Sequence, residues 1–134
     1  MNKKMFLVAT SGKTVDGREF SAADIMAIAS NYNTATRTAI IAEQPSLSST
    51  LGFVESTRAE MVGDKADLYV EVKASKDFLE LSKHWKENQY LAITILYGEG
   101  PLPSPYLIGL FLTTTPACLG TDVITTKDLA ECVA

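Results

Sequence analysis

Residues 107–112 form a short, near-continuous apolar run with Gly109 inside it, which suits a core strand better than a helix. Three threonines follow, then Pro116 and Gly120, and neither of those can continue the same strand. Residues 106–121 therefore read as a fully buried strand that runs into a tight loop. A core strand of this kind needs partners on both sides. The rest of the chain can be searched for them.

Alternating or apolar segments supply those partners. Residues 5–10 read as a first strand, closed by Ser11-Gly12. Thr14-Val15-Asp16-Gly17-Arg18 reads as a turn on its Asp-Gly pair. A helix follows, with Ser21 as N-cap, Asp24 three residues on, and Ala22, Ile25, Ile28, Ala29 and Tyr32 at helical spacing. Residues 37–43 read as a second strand, followed by a polar loop. The segments 51–61 and 66–72 flank Gly63-Asp64 as a hairpin. A second helix is expected from Ser75, with Phe78, Leu79, Ser82 and Trp85 along one side. Strands are expected at 90–97 and 122–125, with Thr126 capping a last helical turn. Six or seven strands with two inserted helices predict a mainly β, α+β fold: an antiparallel β-barrel with helices packed outside it.

Composition narrows the function classes. The chain has 134 residues, 46% hydrophobic and 21% charged, as a single domain with its own core would. Its formal charge of −4 and scattered twelve Lys and Arg argue against a nucleic-acid surface. No apolar run is long enough to span a bilayer, and none near the start is long enough for a signal peptide, so a cytoplasmic location is expected. Cys118 and Cys132 are expected to be reduced, and they lack companion ligands for zinc. No cofactor is expected.

Catalytic candidates are few. His84 is the one histidine, on the polar flank of the second helix, and reads as a solvated surface residue. Ser46, Ser48 and Ser49 belong to a hydroxyl-rich turn. The residues alone assemble no complete nucleophile–base set.

Three segments together resemble a known family. They are Asp16-Gly17-Arg18 ahead of Ser21-Ala22-Ala23-Asp24-Ile25, the strand over residues 90–95, and the Gly-Leu-x-x-Thr-x-x-Pro-Ala-x-Leu-Gly-Thr pattern from Gly109 to Thr121. In order and spacing they are similar to the GPO-type capsid scaffolding proteins of tailed phages, a scaffold fused to a serine protease domain. That family is similar in fold to the herpesvirus maturation protease, a β-barrel ringed by helices. The family's aspartate falls on Asp16, its histidine on Gln44, and its serine on Ala92 in Tyr90-Leu91-Ala92-Ile93. Glutamine cannot cycle a proton near neutral pH and alanine has no nucleophile. Thr94 also stands where an acidic residue is expected. Two losses together point to natural degeneration rather than to one engineered knockout.

The resemblance implies a role in prohead assembly in the host cytoplasm, as a scaffold or internal core component with an inactive protease domain. Its partners would be the major capsid protein, a scaffold protein, or both, with no nucleic acid and no membrane. A homodimer is plausible because the related viral proteases pair through helices. The family's C-terminal helical scaffold segment has no counterpart before Ala134. That suggests as an alternative a standalone protease-like module that modulates another scaffold's assembly. A second alternative is an active peptidase with a site rearranged around His84 and the serines of the 46–49 turn.

Overall fold

The computed structural model describes residues 4–15, 17–43, 50–98, 100–116 and 121–133. In chain order these build β1 (Met5–Thr10), β2 (Gly12–Lys13), β3 (Glu19–Phe20), α1 (Ala22–Asn31), β4 (Ile40–Ala42), β5 (Gly52–Val62) and β6 (Lys65–Ala74). Then come α2 (Lys76–Ser82), β7 (Gln89–Leu96), β8 (Tyr106–Thr113), β9 (Val123–Ile124) and α3 (Thr126–Ala130).

Seven strands form one sheet in the order β1-β6-β5-β4-β8-β7-β9, and β2 pairs with β3 as a separate small hairpin. The fold is mainly β, as expected, and the large sheet curls into a half-barrel. One feature departs from the expected antiparallel pattern: β4 and β8 run parallel, with Ile41 opposite Leu110. Register shifts at Leu7/Ala9, Val54/Ser56 and Thr94/Ile95 interrupt three ladders. Such bulges bend a strand and increase its twist, which a sheet must do to curl. The curl brings β1 back toward β9. There the Asp122 N–H donates to the Leu7 carbonyl at 2.8 Å, and the Leu7 N–H donates to Asp122 Oδ2 at 2.8 Å.

The core fills the concave side. Phe6 and Val8 of β1, Leu68 and Val70 of β6, Leu91 of β7, and Leu107 and Leu110 of β8 are buried together with Ile25 and Ile28 of α1. The β8 strand is less enclosed than its apolar sequence predicts. Tyr106, Leu107 and Leu110 are buried, but residues 108, 109 and 111–113 are half-exposed. Of these, Phe111 and Thr113 line an open groove, while Ile108 and Leu112 pack in part against the core.

The helix starts obey local hydrogen bonding. Ser21 Oγ accepts from the Asp24 N–H at 3.0 Å, and Ser75 Oγ accepts from the Phe78 N–H at 3.1 Å. At α3 the cap is Thr125, one residue before the expected Thr126. A capping box needs its acidic partner three residues on, and Asp128 stands at that distance from Thr125. The α2 helix ends at Ser82, so Trp85 leaves the expected helical stripe and meets Phe78 edge-on, with ring centroids 6.1 Å apart.

The hairpin of β5 and β6 closes over Gly63-Asp64, with Val62 opposite Lys65 and Gly63 at φ +65°. Glycine at the first position of a two-residue loop meets that left-handed requirement.

The expected strand over residues 37–43 shortens to three residues, and two tyrosines explain why. Tyr32, at the end of α1, donates to the Val54 carbonyl at 2.7 Å and accepts from the Ala39 N–H at 2.8 Å. Tyr106 donates to the Arg37 carbonyl at 2.6 Å and accepts from the Asn33 N–H at 3.2 Å. Their rings lie 5.6 Å apart. The backbone of Asn33, Arg37 and Ala39 is thus tied to side chains, and the strand starts only at Ile40. The same tie delivers β4 alongside β8.

Candidate functional site

Alternation along β7 sorts its side chains between two faces. Leu91 is 1% exposed and joins the core with Ile93 and Ile95. Ala92 and Thr94 take the opposite face. Across the ladder Ala92 stands opposite Phe111, and Phe111 stands beside Ala42 of β4. Ala42, Phe111 and Ala92 therefore form one row across three strands. Two strand spacings put the ends of that row about 10 Å apart.

A groove of about 400 Å³ takes lining from both faces of β7, from Ala92 and Thr94 and also from Leu91, Ile93 and Ile95. Phe111 and Thr113 of β8 line it too, with Thr115, Pro116 and Thr121 of the following segment and with Val8 and Arg18. Pro116 has no N–H for a ladder, and β8 ends at Thr113, whose Oγ1 accepts from the Thr115 N–H at 3.1 Å. The expected strand-to-loop transition therefore supplies part of the groove's lining.

Arg18 reaches the groove from the β2–β3 hairpin. The Thr14 N–H donates to the Arg18 carbonyl at 2.8 Å, and the Arg18 N–H donates to Thr14 Oγ1 at 3.1 Å. Its guanidinium carbon lies 5.8 Å from the centre of the Phe20 ring. Arg18 and Ala92 thereby belong to the lining of one groove.

Chemically, the groove offers hydroxyls without a base. Thr94, Thr113, Thr115 and Thr121 line it, yet none of the described lining residues is His, Asp, Glu or Lys. His84 is exposed in the turn after α2 and is not among the lining residues. Among the described residues no group of three or more His, Cys, Asp or Glu could hold a metal.

Of the three positions carried over from the family resemblance, Ala92 lines the groove, while Asp16 and Gln44 fall outside the described residues, as do Ser46, Ser48 and Ser49.

The family model described as GPO serine peptidase, N-terminal domain, matches residues 3–128. This chain belongs to that family. No curated protein and no solved structure matches it. Membership assigns the GPO domain a protease-related role in phage capsid maturation, and as a phage protein it is made in the cytoplasm of the infected host. Among the described residues no helix is long and apolar enough to cross a membrane.

Sequence reasoning passed over Arg18, Phe111 and the threonines as site residues of the GPO domain. The signal was present in the alternation of 90–94 and 109–113, but reading it required the register of β7 on β8. Cys132 is a free, buried thiol, as expected, and lies outside the groove. Burial, and then the carboxylates of Asp128 and Glu131, push it up to about 11. It is not a nucleophile near neutral pH.

Proposed function

We propose that this GPO domain serves phage capsid assembly as a scaffold or internal core component and does not cleave peptide bonds. The observation that carries the reading is the methyl group of Ala92, which lines the groove and stands at the position that matches the family's serine. A peptidase of this class needs a hydroxyl or thiol there and a base within hydrogen-bond reach. The described lining holds neither a serine nor a base. Gln44, which matches the family's histidine, could not take a proton in any arrangement. Loss of both groups leaves only binding and backbone electrostatics to act on a peptide.

A fold kept around such a groove retains the surfaces by which a protease domain would sit among assembling subunits. The partner in this reading is the major capsid protein, with or without a separate scaffold protein, inside the prohead. Co-expression with the capsid protein of the same phage tests it. The reading predicts closed shells that contain intact domain, and aggregated or absent shells when the domain is omitted. Shells of equal yield and shape without the domain would contradict it.

A further inference from the structure

We propose that two copies of this chain pair along the free edge of β5, antiparallel about a two-fold axis at Ala59, so that one sheet continues into the other. The surface is a strand edge, unlike the helix-to-helix pairing that the family resemblance implies. No residue of β5 lines the groove. The inference therefore does not depend on whether the domain cuts peptide bonds.

The backbone supplies the edge. β5 pairs with β4 only at Gly52 and Phe53, whereas its pairing with β6 continues to Val62. Among the described residues no strand but β6 pairs with β5 beyond Phe53. Val62 and Lys65 flank a two-residue turn and so form a hydrogen-bonded pair. Alternation then turns the N–H and C=O groups of Thr57, Ala59 and Met61 away from β6. Ala66, opposite Met61, agrees: its carbonyl accepts from the Ser11 N–H and its N–H donates to Ser11 Oγ, both at 2.8 Å and both on the β1 side. Thr57 Oγ1 donates to the Ala29 carbonyl at 2.8 Å. Side chains stand across the sheet plane, so this bond seats α1 on the face of β5 and not along its edge. The free run extends from Ser56, just after the bulge, to Val62 at the turn, and Ala59 is its midpoint.

Charge selects both the occupant and the register. Arg58 and Glu60 share the face of β5 away from the core, 3.4 Å apart, with their side chains 55% and 48% exposed. The Arg58 guanidinium carbon also lies 5.2 Å from the centre of the Tyr69 ring, which holds it flat over the sheet. An edge guarded by charges of one sign repels a second copy of itself. This edge carries one charge of each sign, at equal distances from Ala59. Antiparallel pairing about Ala59 therefore sets Arg58 of each copy opposite Glu60 of the other, with Cβ atoms about 4.5–5.5 Å apart. The two neighbouring registers that also match the outward-facing groups set Arg58 against Arg58 or Glu60 against Glu60, and like charges directly opposite are unfavourable. Met61, 51% exposed, falls opposite Thr57 of the second copy, and Val62, 60% exposed, falls opposite Ser56. Pairing thus covers apolar surface at the hairpin tip as well.

The test is sedimentation equilibrium of the full chain at low salt, from about 0.02 to 1 mM, a range chosen for an interface smaller than the usual 1,200–2,000 Å². The protein should pass from monomer to dimer across that range. Amide exchange at Ala59 and Met61 should slow as the dimer forms, because their N–H groups become hydrogen-bonded only there. Arg58→Glu should weaken association about tenfold, since two opposite-charge contacts per dimer become two like-charge ones. Arg58→Glu combined with Glu60→Arg should restore it, because the exchanged charges match again about the same axis. Both side chains are exposed, so these variants keep the fold. A monomer throughout the range would overturn the proposal. So would association that Arg58→Glu leaves unchanged, that the double variant does not recover, or that leaves exchange at Ala59 and Met61 unaffected.

Discussion

Leu7 and Asp122 hold each other through two hydrogen bonds, one from each backbone N–H, across 115 residues of sequence. This pair joins the edge of β1 to the residue just before β9 and so draws the curled sheet together. It also places Thr121, the preceding residue, in the lining of the groove. Replacing Asp122 by alanine removes the side-chain acceptor and leaves the Leu7 N–H to water. The expected loss is about 1–2 kcal/mol in urea unfolding, with the slope unchanged, the lower part of the range for a hydrogen bond to a charged group because this one is exposed. Asp122→Asn keeps a carbonyl acceptor and should lose less. An unchanged midpoint for Asp122→Ala would show that the contact is incidental.

Gly52 opens β5 opposite Ala74 of β6. A Cβ added there would clash with the Lys73 carbonyl oxygen and come within 3.2 Å of the Ala74 Cα, both backbone atoms. Because the obstacle is main chain, no side-chain rotation relieves it. Gly52→Ala should destabilise the domain by at least about 1–3 kcal/mol, the range for overpacked sites. It should also weaken the Ser75 N–H bond to the Leu51 carbonyl, which connects β5 to the start of α2. Gly17→Ala is the control for lost glycine freedom without a clash, since φ is +87° and nothing lies within 4 Å.

Cys132 should behave as a buried apolar residue. With its thiol raised to about 11, the thiolate is scarce at pH 8. Peptide mapping after brief iodoacetamide treatment at pH 8 should find Cys132 unmodified in the native protein and fully modified in guanidinium. Rapid native modification would mean that the α3 end opens far more readily than its packing implies.

Much of this fold was legible because its grammar is local. Ser21 and Ser75 announce their helices through one hydroxyl each, and Gly63-Asp64 announces a hairpin through one glycine. What the chain hides is pairing at a distance. Nothing near Ile41 or Leu110 states that their strands run parallel, since the tie is made by Tyr32 and Tyr106 on other elements. The β2–β3 hairpin is two residues deep on each side, too short for any alternation to show. The site divides the same way. The Ala92 position came from likeness to a family, and no property of alanine marks it. Arg18 became a candidate only when it was found in the lining of the groove.

The claim that the domain is catalytically silent has the most direct test. The intact protein is incubated with a fluorophosphonate, which attaches covalently to an activated serine, and its mass is read by electrospray. With alanine at position 92 and glutamine at position 44, the mass should stay unchanged at every pH from 6 to 9. One probe adduct per chain on any serine, lost on denaturation before labelling, would contradict the account.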